Sequence, residues 1–543
     1  MIPTEIKRRF DAVREEAKRH WPLWKELRDY LLPTAGSFDE KPNDPVNLDY
    51  LKLLDCDPNQ FLTWLAAAMM SGMTNPSREW FALGTDKGVW GETPEEAEYL
   101  KKRKERIEYR LHKGNVYLTL LKMYYELPAV GTYVFMVEAD PVTGIRTVPF
   151  TIGETYLGLG ASDKIDTFAH TVYMTPGEMA AHFGNAVPAV IRERAQSAAG
   201  ATERIAVHHL IEPNRNARVG RADGNNMPFR SVWWTGGHDT FLRESGYKRF
   251  PVICPRWDVK HYNSVWGFGP GATVLGALKS LQRVTQDEYV AVELGIKPPL
   301  QADAGMQGNI NLEPGGISFK SQSVSSGLTP VYQAQMDISK AELLVSKVKN
   351  MLRSQFFCDV FLMLAQDDKT GRTATEVAQK MREKMMIFGP VLERLNHECY
   401  EPLIELVDQI NEDNGDYDDL IPPETLQGRE IKITFNSIFQ EAQKESGTYS
   451  MQQLINFAAQ LAQIKADALD WLDADKMMKT AAEKLSSVEL LAEEETVASL
   501  RANRAQEAAK QQQLQDAAAS VELAQGVAAA GASAQEMDFR KGM

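Results

Sequence analysis

The side chains in this sequence that could do chemistry are few, and their spacing argues against most of it. His208-His209 is the only adjacent histidine pair. In a strand, neighbours point to opposite faces, so the two cannot share a metal ion. His397-Glu398 has no second histidine four residues on, so the zinc-hydrolase pattern is missing. Asp416, Asp418 and Asp419 stand beside Pro422-Pro423, and the simplest reading is a solvated loop rather than a two-metal nuclease site. There is no G-x-x-x-x-G-K-[ST] phosphate cradle. Gly267-Phe268-Gly269-Pro270-Gly271 enters a helix but misplaces the third glycine of a dinucleotide loop. Pro270 also removes an N–H that could bind phosphate. The four cysteines (Cys56, Cys254, Cys358, Cys399) are far apart and contain no CxxC, which fits buried thiols rather than zinc or disulfides. No enzyme, cofactor or metal is expected.

Composition points the same way. At 543 residues several packed regions are required, and 43% hydrophobic with 25% charged residues is a globular balance. The net charge of −14 argues against general, tight DNA binding, yet suits a wall past which DNA slides. No apolar run approaches the ~18 residues of a membrane span, and Met1–Glu5 lacks a signal-peptide core, so folding in a cytoplasm is expected.

The elements read as α+β, mainly helical. Residues 4–32 form an amphipathic helix that Pro22 should break. A second helix covers 57–72, with Asp57 as cap, Pro58 at its first position and Gly72 closing it. A charged helix spans 94–113 and resumes at Leu118–Leu127. Tyr133–Glu138 and Ile145–Pro149 make a hairpin about Asp140–Gly144. Short strands follow near 151–159, 168–174, 204–211, 230–235 and 250–257. From Gly271, Val274, Leu275, Leu278, Leu281 and Val284 mark one face of a helix reaching about 294. Lys297-Pro298-Pro299 and a Gly/Ser/Asn-rich stretch to Thr329 then form a loop long enough to expect a function. Helix returns from Asp337 to Phe356. A stripe from Val377 to Ile410 predicts a helix of roughly 50 Å, kinked by Gly389-Pro390 and Pro402. Ile431–Asn436 alternates as a strand. Beyond 445 the chain is helix-forming and ends in an Ala/Gln/Glu-rich tail (501–535) with few core residues.

Four ordered segments resemble the head-to-tail connector (portal) family of T7-like, short-tailed bacteriophages. They are Trp64–Leu83 with Ser71-Gly72-Met73-Thr74-Asn75-Pro76-Ser77; Gly267–Gly271 opening a helix that ends in Lys297-Pro298-Pro299; Leu312-Glu313-Pro314-Gly315-Gly316-Ile317; and Arg372–Val377 leading to Phe388–Leu392 and Glu401-Pro402-Leu403. In the last, Thr373 or Thr375 can cap the helix, with Glu376 completing a capping box. The resemblance implies a ring, usually of twelve subunits, at one capsid vertex of the virion, assembled in the host cytoplasm.

It also implies a division of the chain. The α+β wing would be 1–270, the first stem helix 271–296, the clip 297–331 and the second stem helix 332–356. A tunnel loop would span 357–372, a long kinked helix with a strand returning to the wing 373–444, and a helical crown 445–543. Candidate clip residues for docking a partner are Leu312, Pro314, Gly315, Gly316 and Ile317. Implied partners are double-stranded viral DNA passing through without sequence preference, a packaging terminase (the motor this chain lacks), a tail adaptor, and the major capsid and scaffolding proteins; no membrane is implied. Candidate DNA contacts in the channel are Lys279, Arg283, Lys347, Lys349, Arg353, Lys369 and Arg372, each with the alternative of ordinary salt bridging on a helix face. Lys369 and Arg372 lead because Asp367–Arg372 is a polar loop between apolar helices. The competing readings are a tail adaptor or nozzle ring, which is usually shorter and lacks the helix–loop–helix, and an enzyme, which lacks its motifs.

Overall fold

A computed structural model describes residues 3–38, 53–85, 93–301 (apart from 162, 216, 218–225, 238–239, 262 and 298), 329–330, 338–358 and 388–436 (apart from 427–428 and 430). Past residue 440 it describes 456, 475–478, 496–507 and 509–511. The chain divides into a unit of residues 1–440 and a second of 441–543. In the second, the described residues are helical, and Arg501 pairs with both oxygens of Asp475 at 2.6 and 2.5 Å.

The first unit opens with α1 (Thr4–Lys18) and α2 (Trp21–Leu31). The expected break falls at residues 19–20, because Pro22 lacks an N–H and therefore sits in a first turn, where none is needed. The next helix, α3 (Asp57–Met73), corrects the expected cap. Cys56 holds the cap position, Asp55 Oδ1 accepts the N–H of Asp57 at 3.0 Å, and Asp57 is already helical. Nor does Gly72 close this helix; it is buried inside, and Thr74 ends it. β1 (Phe81–Gly84) leads to α4 (Pro94–Lys113) and α5 (Val116–Val130).

Strands follow: β2 (Val134–Asp140), β3 (Gly144–Phe150), β4 (Thr155–Leu159) and β5 (Ile165–Met174). Three short helices come next, α6 (Pro176–Phe183), α7 (Ala189–Arg194) and α8 (Ala198–Ala201). Then come β6 (Ile205–Pro213), β7 (Phe229–Thr235), β8 (Phe241–Tyr247) and β9 (Val252–Ile253). β4 to β8 form one antiparallel sheet in sequence order, and β3-β2-β9 a second. β8, α6 and α7 were not anticipated. β8 is half polar with an interior glycine, so it carries no strand alternation. α6 did have a signal: Thr175-Pro176-Gly177-Glu178 is a capping box, with Thr175 Oγ1 accepting from Glu178 N (3.3 Å) and Glu178 Oε2 accepting from Thr175 N (2.8 Å).

α1 lies over the larger sheet, with buried Phe10 edge-on to Tyr156 and Trp234 and Arg9 paired with Glu212 at 2.6 Å. His208 and His209 face opposite sides as expected. His208 hydrogen-bonds Thr171 (2.9 Å) beneath Phe10. His209 is wholly buried, in a chain with His170 (3.0 Å) and Ser231 (2.8 Å), and stacks on Trp233. Burial holds the pKa of His170 down to about 3 and that of His209 well below its ordinary value.

After β9 come α9 (Pro270–Ile296), β10 (Leu300–Gln301), β11 (Thr329–Pro330) and α10 (Ile338–Gln355). The described part of the long helix starts at Phe388. It passes through a π-turn at Asn396–Tyr400 into α11 (Glu401–Asp413), and β12 (Lys432–Phe435) then pairs antiparallel with β1. The π-turn is the form the expected kink takes at Pro402, which cannot donate to the carbonyl four residues back. Among the described residues no helix is long and apolar enough to cross a membrane.

Candidate functional site

Among the described residues, the helical pair α9–α10 leaves an apolar outer half uncovered. α9 is rooted by close backbone contact. A Cβ at Gly267, Gly269 or Gly271 would lie 2.1–2.4 Å from the carbonyl oxygens of Gly131, Pro128 and Ala129. Gly131 itself, at φ +98°, ends α5. The Gly-Phe-Gly-Pro-Gly stretch is therefore a seat in which the start of α9 meets the end of α5, not a phosphate loop. Arg256 braces the same region. Its guanidinium spans both oxygens of Glu398 (2.7 and 3.1 Å), its backbone N–H donates to the same carboxylate (3.0 Å), and its remaining nitrogen reaches Ser264 O (2.8 Å). Both side chains are largely buried, so neither charge is affordable without the other.

From this root α9 buries Val274, Leu278, Leu281 and Thr285 on one face, and nothing beyond. β10 and β11 pair antiparallel, bringing the chain back into α10, which packs along α9. α10 is fastened near its end: Lys349 Nζ lies 2.7 Å from both Asp55 and Asp57, and the thiol of buried Cys358 donates to Phe61 O. Burial alone would lower the Lys349 pKa, but the two carboxylates outweigh it and raise it. Gln282 of α9 grips the same corner, donating to Asp55 O (2.6 Å) and accepting from Leu54 N (2.8 Å). The outer halves of the pair expose apolar side chains: Tyr289 at 57%, Ile296 at 73% and Leu343 at 71%, with Val290, Val292 and Leu344 beside them.

The predicted basic contacts separate accordingly. Lys279 is paired with Glu26 at 2.8 Å and Lys349 with Asp55 and Asp57, so the salt-bridge alternative holds for both. Arg283 lines a cleft of about 670 Å³ with Asp29, Asp287 and Val290. Arg353 is half-buried, whereas Lys347 is exposed. Lys369 and Arg372, the clip residues Leu312, Pro314, Gly315, Gly316 and Ile317, and the caps Thr373, Thr375 and Glu376 lie outside the described residues.

The acidic cluster lies in a largely exposed loop as expected, but two of its carboxylates are paired. Asp416 is half-buried and Asp419 exposed. They receive Arg110 and Arg106 of α4, each at 2.6 Å, while Arg103 binds Asp408 of α11 at 2.7 Å. The missed signal was the spacing of the three arginines, which puts them along one side of α4. Among the described residues no three His, Cys, Asp or Glu side chains are grouped to hold a metal ion.

A mixed helix–sheet body carrying a projecting helical pair is the frame against which known proteins can be set. The chain belongs to the bacteriophage head to tail connecting protein family, whose profile it matches over residues 3–488. It is 31% identical over 510 residues to the probable portal protein of Bordetella phage BPP-1, covering 93% of this chain and 91% of that protein. It is also 31% identical over 497 residues to the portal protein of Salmonella phage epsilon15, covering 89% and 88%. Its role is that of the portal at the capsid vertex. A chain of a native gene transfer agent virion superposes with TM-score 0.36 at 11% identity, over 84% of this chain and 98% of that one, too loosely to add to the assignment.

Proposed function

We propose that the portal is a closed ring, of twelve copies in a T7-like short-tailed virion, through which double-stranded DNA is packaged, retained and ejected. Residues 1–270 are its wing, 271–296 and 332–356 its stem, and 297–331 its clip, where terminase and later the tail adaptor dock. The tunnel loop is 357–372, the kinked helix and returning strand 373–444, and the crown 445–543. The supporting observation is the apolar outer surface of the α9–α10 pair. Six large hydrophobic side chains in water are costly for a monomer, at about 25 cal/mol per Å² of apolar area, and are accounted for if copies cover one another. A repeated, non-self-complementary contact closes into a ring when its rotation divides a full turn.

Negative-stain imaging of the purified protein, with particle mass measured in parallel, tests this reading. Annular particles with an axial hole and a mass near twelve chains support it. A monomer that persists at high concentration and with scaffolding protein present removes the stem and clip assignments.

A further inference from the structure

We infer that a small polar cavity between α5 and the entry to α9 binds one water molecule, which accepts hydrogen bonds from Trp266 Nε1 and the Tyr133 hydroxyl and donates to the Glu126 carboxyl. The inference concerns the single chain and does not depend on the ring reading.

The cavity has a volume of about 20 Å³. Trp24, Val134 and Phe150 contribute apolar wall, and Glu126, Tyr133 and Trp266 bring polar groups to it. Trp266 is 8% exposed, with its indole edge-on to Trp24, and its N–H is buried with no hydrogen-bond partner among the described residues. Tyr133 is equally enclosed. Burial and the nearby Glu126 and Glu154 carboxyls raise the pKa of its hydroxyl and no hydrogen bond relieves it, so the group keeps its proton and remains a donor. Glu126 supplies the acceptor. Its carboxyl takes a hydrogen bond from Thr151 Oγ1 and one from the Ile152 N–H, which leaves lone pairs for another donor.

Donors and acceptors balance for one occupant. Buried N–H and O–H groups without partners are rare in folded proteins, and here two of them line one cavity beside a carboxyl. A water molecule has two acceptor sites for the two donors and can give a proton to the carboxyl. It needs roughly 10–15 Å³, so the cavity takes one and is too small for a hydrated ion. A bare cation would face two N–H and O–H donors, and an anion would face Glu126. Cavities that stay dry are lined by apolar groups alone, which this one is not. A single enclosed water does not connect Glu126 to bulk solvent, so the carboxyl keeps its raised pKa.

The water has a structural consequence. Trp266 stands immediately before the glycine seat at Gly267, and Glu126 lies in α5, whose end forms the other side of that seat. One molecule therefore links the two sides of the joint from which α9 starts.

The first test is a map of the full-length wild-type protein fine enough to show ordered water. A peak about 2.7–3.2 Å from both Trp266 Nε1 and the Tyr133 hydroxyl oxygen is expected. A featureless cavity in a map that shows other buried waters would overturn the inference. The second test compares Trp266→Phe, Tyr133→Phe and the double variant in urea unfolding. Each single change should lower the midpoint, and the double should lower it by clearly less than the two together, because both act through the same molecule. Additive losses would mean that the two groups share no water. Should Trp266→Phe fail to fold, the wild-type map decides alone.

Discussion

Glu126 gives the structure a stability that depends on pH in a direction opposite to most carboxylates. It lies buried on α5, its oxygens 3.2–3.3 Å from Thr151 Oγ1. Burial is the main reason its pKa rises from 4.5 to about 7; hydrogen bonds from Thr151 and Ile152 only partly offset it, and nearby Glu154 adds to it. Because the folded pKa exceeds the unfolded one, the folded chain keeps a proton that the unfolded chain releases between those values. Stability from this site is therefore complete below pH 4.5, falls as pH rises, and is lost once pH passes about 7. The difference of 2.5 units corresponds to about 3 kcal/mol in full. Glu126→Gln keeps the shape and removes the charge. In urea unfolding, the variant's advantage over wild type should grow by about 2–3 kcal/mol between pH 5 and pH 8. An advantage of the same size at both pH values would mean Glu126 is solvated or paired in the fold, and the reasoning would fail.

Other expectations follow from the same geometry. His170 and His209 are held neutral by burial, so their contribution is intact above pH 6.5 and is lost as pH falls; at pH 5 His170, with its pKa held to about 3, costs about 2 kcal/mol and His209 acts in the same direction, so a His170→Gln/His209→Gln variant should show a flatter fall in melting temperature from pH 7 to 5. Arg256→Ala strands the buried Glu398 carboxylate and should cost about 3–5 kcal/mol in denaturant unfolding, more than Arg256→Ala combined with Glu398→Ala. Leu343→Asp should leave the melting temperature of the isolated chain unchanged while abolishing annular particles in negative stain. If Lys369 and Arg372 line the channel, replacing both with Ala should reduce packaged and retained genome in a complementation assay while rings still form.

How much of this was legible beforehand depended on whether a residue's partner was near in sequence. The bounds of α4, α5 and α9 follow from apolar spacing with glycine and proline punctuation, and the β2–β3 hairpin from Asp140–Gly144, so these were readable. Pairings across the chain were not. Nothing local says that Phe81–Gly84 will pair with Lys432–Phe435, or that Arg106 and Arg110 will claim Asp419 and Asp416. The ion pairs of the acidic loop could not be read because the counter-charges lie about three hundred positions earlier. The channel candidates fared similarly. Sequence could place Lys279 and Lys349 on helices flanking a loop, but only the packing of α2 and α3 against them shows both already neutralised.

The glycine seat beneath α9 sets an angle as well as a contact. Backbone lies on backbone there, with no side chain to bend or re-rotamerise, so the direction in which the helical pair leaves that seat is fixed by tight backbone packing. In a closed ring the same angle is used at every step, and any error is multiplied by the number of copies before the last meets the first. If the portal closes as proposed, a joint without slack lets the circle come out whole, and a single methyl group at Gly269 would be felt around the entire circumference.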